Sequence, residues 1–416
     1  MKLKLRSKND WGRLDMTSEW HEVPLRELVG YISKGIAPSY AEEASETTIR
    51  VLNQKCNRNF RISYGDSRLH DTLKKKVPPE RYVKPDDILI NSTGAGTAGR
   101  IAQIEDVPSA TTIDGHMILI RSNGKVTQKF LGYALKAHQW EVLQLDEGST
   151  GQTELNRDRL LDEIMINYPV SFDEQNAIVG TLESIDRKLI VNKEINDNLE
   201  QQAATYFQEL FINNANPVWQ ISTISDLGTV VGGSTPSKTK PEYYTNNGIA
   251  WITPKDLSIN KSKFISHGEN DITELGLKNS SATVMPKGTV LFSSRAPIGY
   301  IAIASNEVTT NQGFKSVIPY SEIGTAFVYF FLKHSLPVIE SAASGSTFKE
   351  ISGSAMKNIP AIIPDRNTLD QFNSFCAPIF AQQKILEEQN HSLAMLRDSL
   401  LPKLMSGAID IASIQL

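Results

Sequence analysis

Intervals of four and three residues alternate between the apolar positions of one long stretch of this chain. Ile178, Leu182, Ile185, Leu189, Asn192, Asn196, Leu199, Ala203, Tyr206 and Leu210 follow one another at that spacing. The repeat brings all these side chains to one side of a helix and makes a seam for a second helix. A second stretch keeps the same spacing through Phe375, Ile379, Gln382, Leu386, Gln389, Leu393, Leu396 and Leu400, with Pro378 inside it. A proline lacks the amide hydrogen that a helix interior needs, which predicts a regular helix starting only near Pro378. Both seams turn polar in the middle. Asn192 and Asn196 on one, Gln382 and Gln389 on the other, are expected to fix alignment by pairing, since a polar seam residue costs stability but specifies register. An ordinary amphipathic helix lying on its own globular domain is the alternative.

The rest of the chain has another texture, in which short β-type runs such as 87–91, 101–104 and 117–120 alternate with Gly-rich turns and helical segments. The expected organisation is a polar segment over 1–19, a globular unit over 20–168, and a long helix over 169–212. A second globular unit over 219–364, a second long helix over 365–406 and a tail over 407–416 follow. The fold class is α+β, with the two helices pairing as an antiparallel coiled coil. Helices of about 38 residues would be roughly 57 Å long at 1.5 Å rise per residue.

The two globular units are copies of one another. Trp20, Leu25, Glu27 and Leu28 match Trp219, Ile224, Asp226 and Leu227, each 199 residues on. Val83, Pro85, Leu89, Ser92, Gly99, Ile101 and Ala102 match Val284, Pro286, Val290, Ser293, Gly299, Ile301 and Ala302 with a one-residue gap. Thr112 and Gly115 then match Thr310 and Gly313; Phe130 and Lys136 match Phe327 and Lys333; the Gly-Ser-Thr turns at 148 and 345 match one another. Pro169 and Pro364, followed by Gln175 and Gln371, open the two helical stretches. A period near 200 residues in conserved order means a duplicated architecture.

Composition excludes little and adds one contrast. The 416 residues are 40% hydrophobic and 22% charged, ordinary for a globular chain of two or three domains. The beginning lacks the apolar stretch of a secretory signal, and the apolar run 327–332 is far too short to cross a bilayer. Cys56 and Cys376 stand apart with no metal-ligand spacing, which fits a reducing cytoplasm and no metal site. A net charge of -4 speaks against nucleic acid, but the charges are segregated. Residues 50–84 carry ten Lys and Arg against three acids, a net of +7, whereas 173–209 sum to -5.

No catalytic constellation emerges. Gly94, Gly96 and Gly99 form a G-x-G-x-x-G after a strand-like run, but a dinucleotide site needs a helix to follow. Here the sequence runs on as strand, and the equivalent turn in the second unit keeps only Gly299. Pro85-Asp86 and Pro364-Asp365 lack the acidic-x-Lys pair of a metal-dependent nuclease. Neither Asn167-Tyr168-Pro169-Val170 nor Asn358-Ile359-Pro360-Ala361 makes an adenine-methyltransferase pocket motif, and no Walker A sequence occurs.

The duplicated block 85–102 with its partner 286–302, the Gly-Ser-Thr turns and the paired Pro…Gln helix starts resemble the specificity subunits of type I restriction-modification systems. The resemblance covers nearly the whole chain. It implies that each globular unit is a target recognition domain reading one half of an asymmetric bipartite site in double-stranded DNA. It implies further that the helices set the spacing and dock two modification subunits, and that up to two restriction subunits join. S-adenosylmethionine, ATP and Mg would belong to those partners; this chain would hold no cofactor or metal and would not be an enzyme. A two-domain coiled-coil adaptor for proteins or another polymer is the alternative. A cytoplasmic location follows from the same reading.

Charge and loop chemistry nominate Arg58, Arg61, Lys74, Lys75, Lys76 and Arg100 in the first unit as DNA contacts, with Lys238, Lys240, Lys261, Lys263, Arg295 and Lys349 in the second. Lysines there would neutralise phosphate, while arginines can grip guanine O6 and N7 in pairs of hydrogen bonds.

Overall fold

Ile88, Leu89 and Ile90 form an unbroken apolar run because the strand they build is covered on both sides. Ile88 and Ile90 enter one core with Phe130, Leu131 and Ile118, whereas Leu89 enters another with Leu52, Ile113 and Leu119. The computed structural model describes residues 19–94, 96–147, 154–345 and 349–414. It divides into two compact units: one is built on the residues up to Arg187 and those from Leu393 onward, the other on Lys188–Ser392.

In the first unit, one sheet takes the order Val29–Lys34, Met117–Ser122, Ile88–Asn91, Ile101–Gln103, antiparallel throughout. Against its Leu89 face lies a second sheet ordered Thr111–Ile113, Thr48–Leu52, Arg68–Asp71, Tyr40–Ala41. The helix Gln128–Ala137 covers the other face, burying Phe130, Leu131, Ala134 and Leu135. The second unit repeats the plan: Gly228–Gly232, Lys315–Pro319, Val290–Ser294 and Ile298–Ala304 take the same order, with Phe264–Ile265 added at the edge. The helix Thr325–His334 takes the covering place. A two-stranded ribbon leads out of each unit, Trp20–Pro24 with Met165–Pro169 and Gln220–Thr223 with Pro360–Ile363.

Register corrects the sequence match by one residue. Leu89 pairs with Ala102 and Leu291 pairs with Ala302, so the partner of Leu89 is Leu291 rather than Val290. The amides of Val83 and Met285 likewise bond the equivalent carbonyls of Thr111 and Val308. Identical valines at 83 and 284 drew the sequence match off the hydrogen-bond register.

The repeated tryptophans fasten the start of each unit to the start of its own helix. Trp20 Nε1 donates to Glu174 (3.2 Å) and Trp219 Nε1 to Asp365 (3.0 Å). Two repeated glycines are equally constrained. A Cβ on Gly35 would lie 2.1 Å from the Asp114 carbonyl oxygen, and one on Gly233 would lie 1.9 Å from that of Asn311.

The long helices run over Phe172–Gln208 and Arg366–Met405. The second fills almost the whole expected span 365–406 and passes through Pro378 without stopping, so the late start that Pro378 suggested does not occur. Pro378 and Ser374, whose carbonyl the missing amide hydrogen would have reached, are both exposed, so water can satisfy that oxygen, while Leu369, Phe372, Cys376 and Ile379 are buried on the opposite side. The buried seam of this helix is also offset from expectation. Cys376, Gln383 and Leu386 are buried, while Phe375, Gln382 and Gln389 are exposed.

The helices run antiparallel within each unit. In the second unit Asn192 Nδ2 donates to Asn390 Oδ1 (2.9 Å), Gln383 Nε2 to the Asn196 carbonyl (3.1 Å), and Gln371 Nε2 to the Tyr206 hydroxyl (2.7 Å). In the first unit Arg397 bonds Asp186 (3.2 Å) and Leu401 and Leu404 join the core with Ile178 and Leu182. Polar pairing in the seam is therefore present, through Gln383 and Asn390 in place of Gln382 and, in the main, Gln389. Cys56 and Cys376 are buried and free, in the cores of different units.

Two stability predictions follow from this packing. Gly233→Ala should destabilise the second unit by about 3 kcal/mol, because the clash is with backbone, and should appear as an early transition in calorimetry. The pair Asn192→Leu with Asn390→Leu should raise the melting temperature, since Asn192 Oδ1 is buried and accepts nothing; a fall would show that the amide pair is a net stabiliser.

Candidate nucleic-acid interface

A hairpin and three side-chain hydrogen bonds bring much of the first unit's basic chemistry to one corner. The hairpin Asn57–Arg58 with Arg61–Ile62 sets Arg58 opposite Arg61. Asn57 Nδ2 donates to the carbonyl of Arg100 (2.8 Å), and Gln54 Nε2 to the carbonyl and hydroxyl oxygens of Thr93. Arg58, Arg61 and Arg100 thus flank the turn that follows the strand Ile88–Asn91. Gly94, Gly96 and Gly99 adopt φ of +110°, +68° and +81° in this turn, values that favour glycine. The turn passes into the strand Ile101–Gln103 and does not itself open a helix.

The nominated cations differ in how freely they can act. Arg58 is exposed and has no acidic partner among the described residues. Arg61 is paired with Glu105 (2.7 Å), and Arg100 bonds the Gly96 carbonyl (3.0 Å) from a half-buried position. Lys74, Lys75 and Lys76 lie exposed beyond the strand Arg68–Asp71, with Lys74 3.9 Å from Asp71 and Lys75 donating to the Ala37 carbonyl (2.8 Å). Buried His70 holds that loop: Nδ1 accepts from the Ser39 amide (2.9 Å), which leaves Nε2 as the donor to the Lys75 carbonyl (2.8 Å). The lysine run therefore does not join the Arg58 corner through any bond among the described residues.

In the second unit Lys238 and Lys240 occupy an exposed loop, with Lys240 3.8 Å from Glu242. Lys261 caps its helix by donating to the Leu257 carbonyl (3.1 Å) and lies 4.3 Å from the Tyr300 ring centre. Arg295 and Lys315 share Glu350, at 3.4 and 3.6 Å, and Lys349 is exposed. Lys263 is withdrawn from the set. It is 7% exposed, its ammonium bonds Gln383 (2.6 Å) and pairs with Glu200, and burial pushes its pKa down. A side chain so enclosed reaches no phosphate.

Two surface features were not singled out from the sequence. Arg68 stacks on Tyr40 at 3.4 Å, a contact created by register, since Tyr40 pairs with His70 across the sheet. Trp140 is 73% exposed on the short helix whose Gln139 bonds Gly99 and Ile101 (2.7 and 2.9 Å). Neither carried a sequence signal beyond its residue type.

Among the described residues no group of three or more His, Cys, Asp or Glu converges as a metal site, and no helix is long and apolar enough to cross a membrane.

The comparisons with known proteins agree on one family. A family model described as the type I restriction modification DNA specificity domain matches residues 17–201 and again 217–390. The chain is 43% identical over 162 residues to the type I restriction enzyme MjaIX specificity subunit of Methanocaldococcus jannaschii, covering 38% of this chain and 37% of that relative. It is 28% identical over 194 residues to the HindI specificity subunit of Haemophilus influenzae, covering 46% of this chain and 42% of that relative. It thus spans less than half the length of each of these relatives. In fold it is similar to the crystal structure of a type I restriction-modification system S subunit from M. genitalium, with a TM-score of 0.61, 17% identity, and coverage of 94% of this chain and 98% of that one. With its two halves each matched by the same model, the chain belongs to the family of type I restriction-modification DNA specificity domains.

Proposed function

We propose that the chain is the DNA-reading subunit of a type I restriction-modification complex. In this reading, target recognition domains over 20–168 and 219–364 each read one half of a bipartite double-stranded site. The long helices fix the spacing and dock two methyltransferase subunits, and restriction subunits join the same assembly. Methylation with S-adenosylmethionine, and ATP- and Mg-dependent cleavage, are the work of the partners, so this chain supplies address without chemistry.

The observation that carries the reading is a shared frame with different exposed groups. The two units share one strand order, apart from the edge strand added in the second, yet the turn after the central strand reads Thr-Gly-Ala-Gly-Thr-Ala-Gly-Arg in one and Arg-Ala-Pro-Ile-Gly-Tyr in the other. A constant scaffold that presents unlike cations and polar groups is what reading two unlike half-sites requires. An adaptor function finds no support, since the relatives described above are restriction enzyme specificity subunits.

Co-expression with methyltransferase subunits and mapping of methylated adenines tests the reading. A split motif whose first or second half changes when 20–168 is exchanged supports it; methylation independent of this chain refutes it. At the level of single residues, Arg58→Ala and Lys76→Ala should each weaken binding and flatten the salt dependence by about one unit of log-log slope. Fluorescence anisotropy across a salt series checks this, and an unchanged slope removes the residue from the interface.

A further inference from the structure

Each unit holds a partly buried carboxylate on the first long helix that gathers donors from separate parts of the chain. In the first unit Asp186 accepts from the Tyr133 hydroxyl (2.9 Å), Lys136 Nζ (2.8 Å) and Arg397 Nη1 (3.2 Å). The tyrosine and lysine come from the helix Gln128–Ala137 of the globular part and the arginine from the second long helix. In the second unit Glu200 accepts from the Tyr329 hydroxyl (3.3 Å) and Lys333 Nζ (2.5 Å), both on the covering helix Thr325–His334, and pairs with Lys263. Lys136 and Lys333 are repeat partners, so the lysine is duplicated along with the fold, while the carboxylate that holds it comes from the first long helix in both units.

The second unit reinforces it. Glu387 on the second long helix accepts the backbone amides of Lys263 and Phe264 (2.8 and 3.0 Å), which pins the edge strand Phe264–Ile265. The Lys263 ammonium is 4.1 Å from the ring centre of Phe380 and 4.8 Å from that of Tyr329.

Apolar packing between a domain and a helix is non-directional and tolerates small rotations. A carboxylate held by three charge-assisted or hydroxyl donors does not, because each bond fixes a direction as well as a distance. Such clusters are poor sources of net stability, since burying the charges costs about what their attraction returns, and orientation is the better attested reason to keep them. Burial works against the ionised form of both acids, yet Lys136 acting on Asp186 and Lys263 with Lys333 acting on Glu200 hold the two carboxyls below their usual range. Both therefore stay charged at neutral pH.

We infer that Asp186 and Glu200 are positioning residues that fix the pose of each recognition domain on its helices and thereby the stringency with which that domain reads its half-site. The inference rests on the DNA-reading function proposed above.

The test uses the full chain in complex with its methyltransferase subunits. Methylation is measured at the mapped site and at sites carrying one changed base pair in either half. Asp186→Asn should relax discrimination by roughly tenfold, within the range of coupled contacts, in the half read by the first unit and leave the other half unchanged; Glu200→Gln should do the converse. Tyr133→Phe and Tyr329→Phe leave the charges paired and should give smaller shifts in the same directions, which keeps the test valid if the first variants fold poorly. Lower melting temperatures with unchanged discrimination, or equal loss in both halves, overturn the inference. A wild-type complex that methylates no bipartite site would instead refute the DNA-reading function itself.

Discussion

The structure depends on a closure between the two ends of the chain. Phe130, Leu131 and Tyr168 in the first unit reach their buried state in a core completed by Leu401, Leu404, Met405 and Ile411, more than 200 residues away in sequence. Ordering so long a loop carries an entropic cost that grows only slowly with length, so an apolar contact of this size can hold it. Gly407 marks how tight the fit is: at φ of +71° it lets the chain pass the Trp20 ring where a Cβ would come within 3.0 Å. Truncation before Leu401 would therefore open the first unit, even though its sheets lie far upstream.

The same economy shapes the helices. Their ends are apolar and belong to the cores, with Ile178, Leu182, Ala203 and Phe207 on the first helix and Leu369, Phe372, Leu401 and Leu404 on the second. Their middle is amide-rich, with Asn192, Asn196, Gln383 and Asn390 meeting across the seam of the second unit. Apolar ends supply affinity, and the amides supply alignment, because a shifted register would strand buried polar groups.

Much of this was legible in the sequence, and the misses share a cause. Spacing alone exposed the duplication, both long helices and the polar seam, because each is a periodic property of the chain. The seam of the second helix was read one position early because Ile379, Leu386 and Leu393 belong to both frames, and exposed Phe375 masqueraded as a seam residue. Lys263 looked like a surface cation in a Lys-Ser-Lys run. Its burial is set by Glu200, Gln383 and Phe380, none of them near in sequence. The Asp186 and Glu200 clusters were invisible for the same reason: a charge on a helix face looks solvated until its partners are placed. Among the cations nominated as DNA contacts, Arg58 and Lys76 are exposed, as their sequence context implied, while the Arg68–Tyr40 stack needed strand register to be seen.

The central claim is that two copies of one frame read two different half-sites. It is tested most directly by exchanging residues 20–168 for the corresponding unit of a relative, co-expressing the hybrid with the methyltransferase subunits, and mapping methylated adenines across a genome. The account predicts a site in which one half changes to the donor's sequence while the other half and the gap stay as they were. A site that changes in both halves, or in neither, would contradict it.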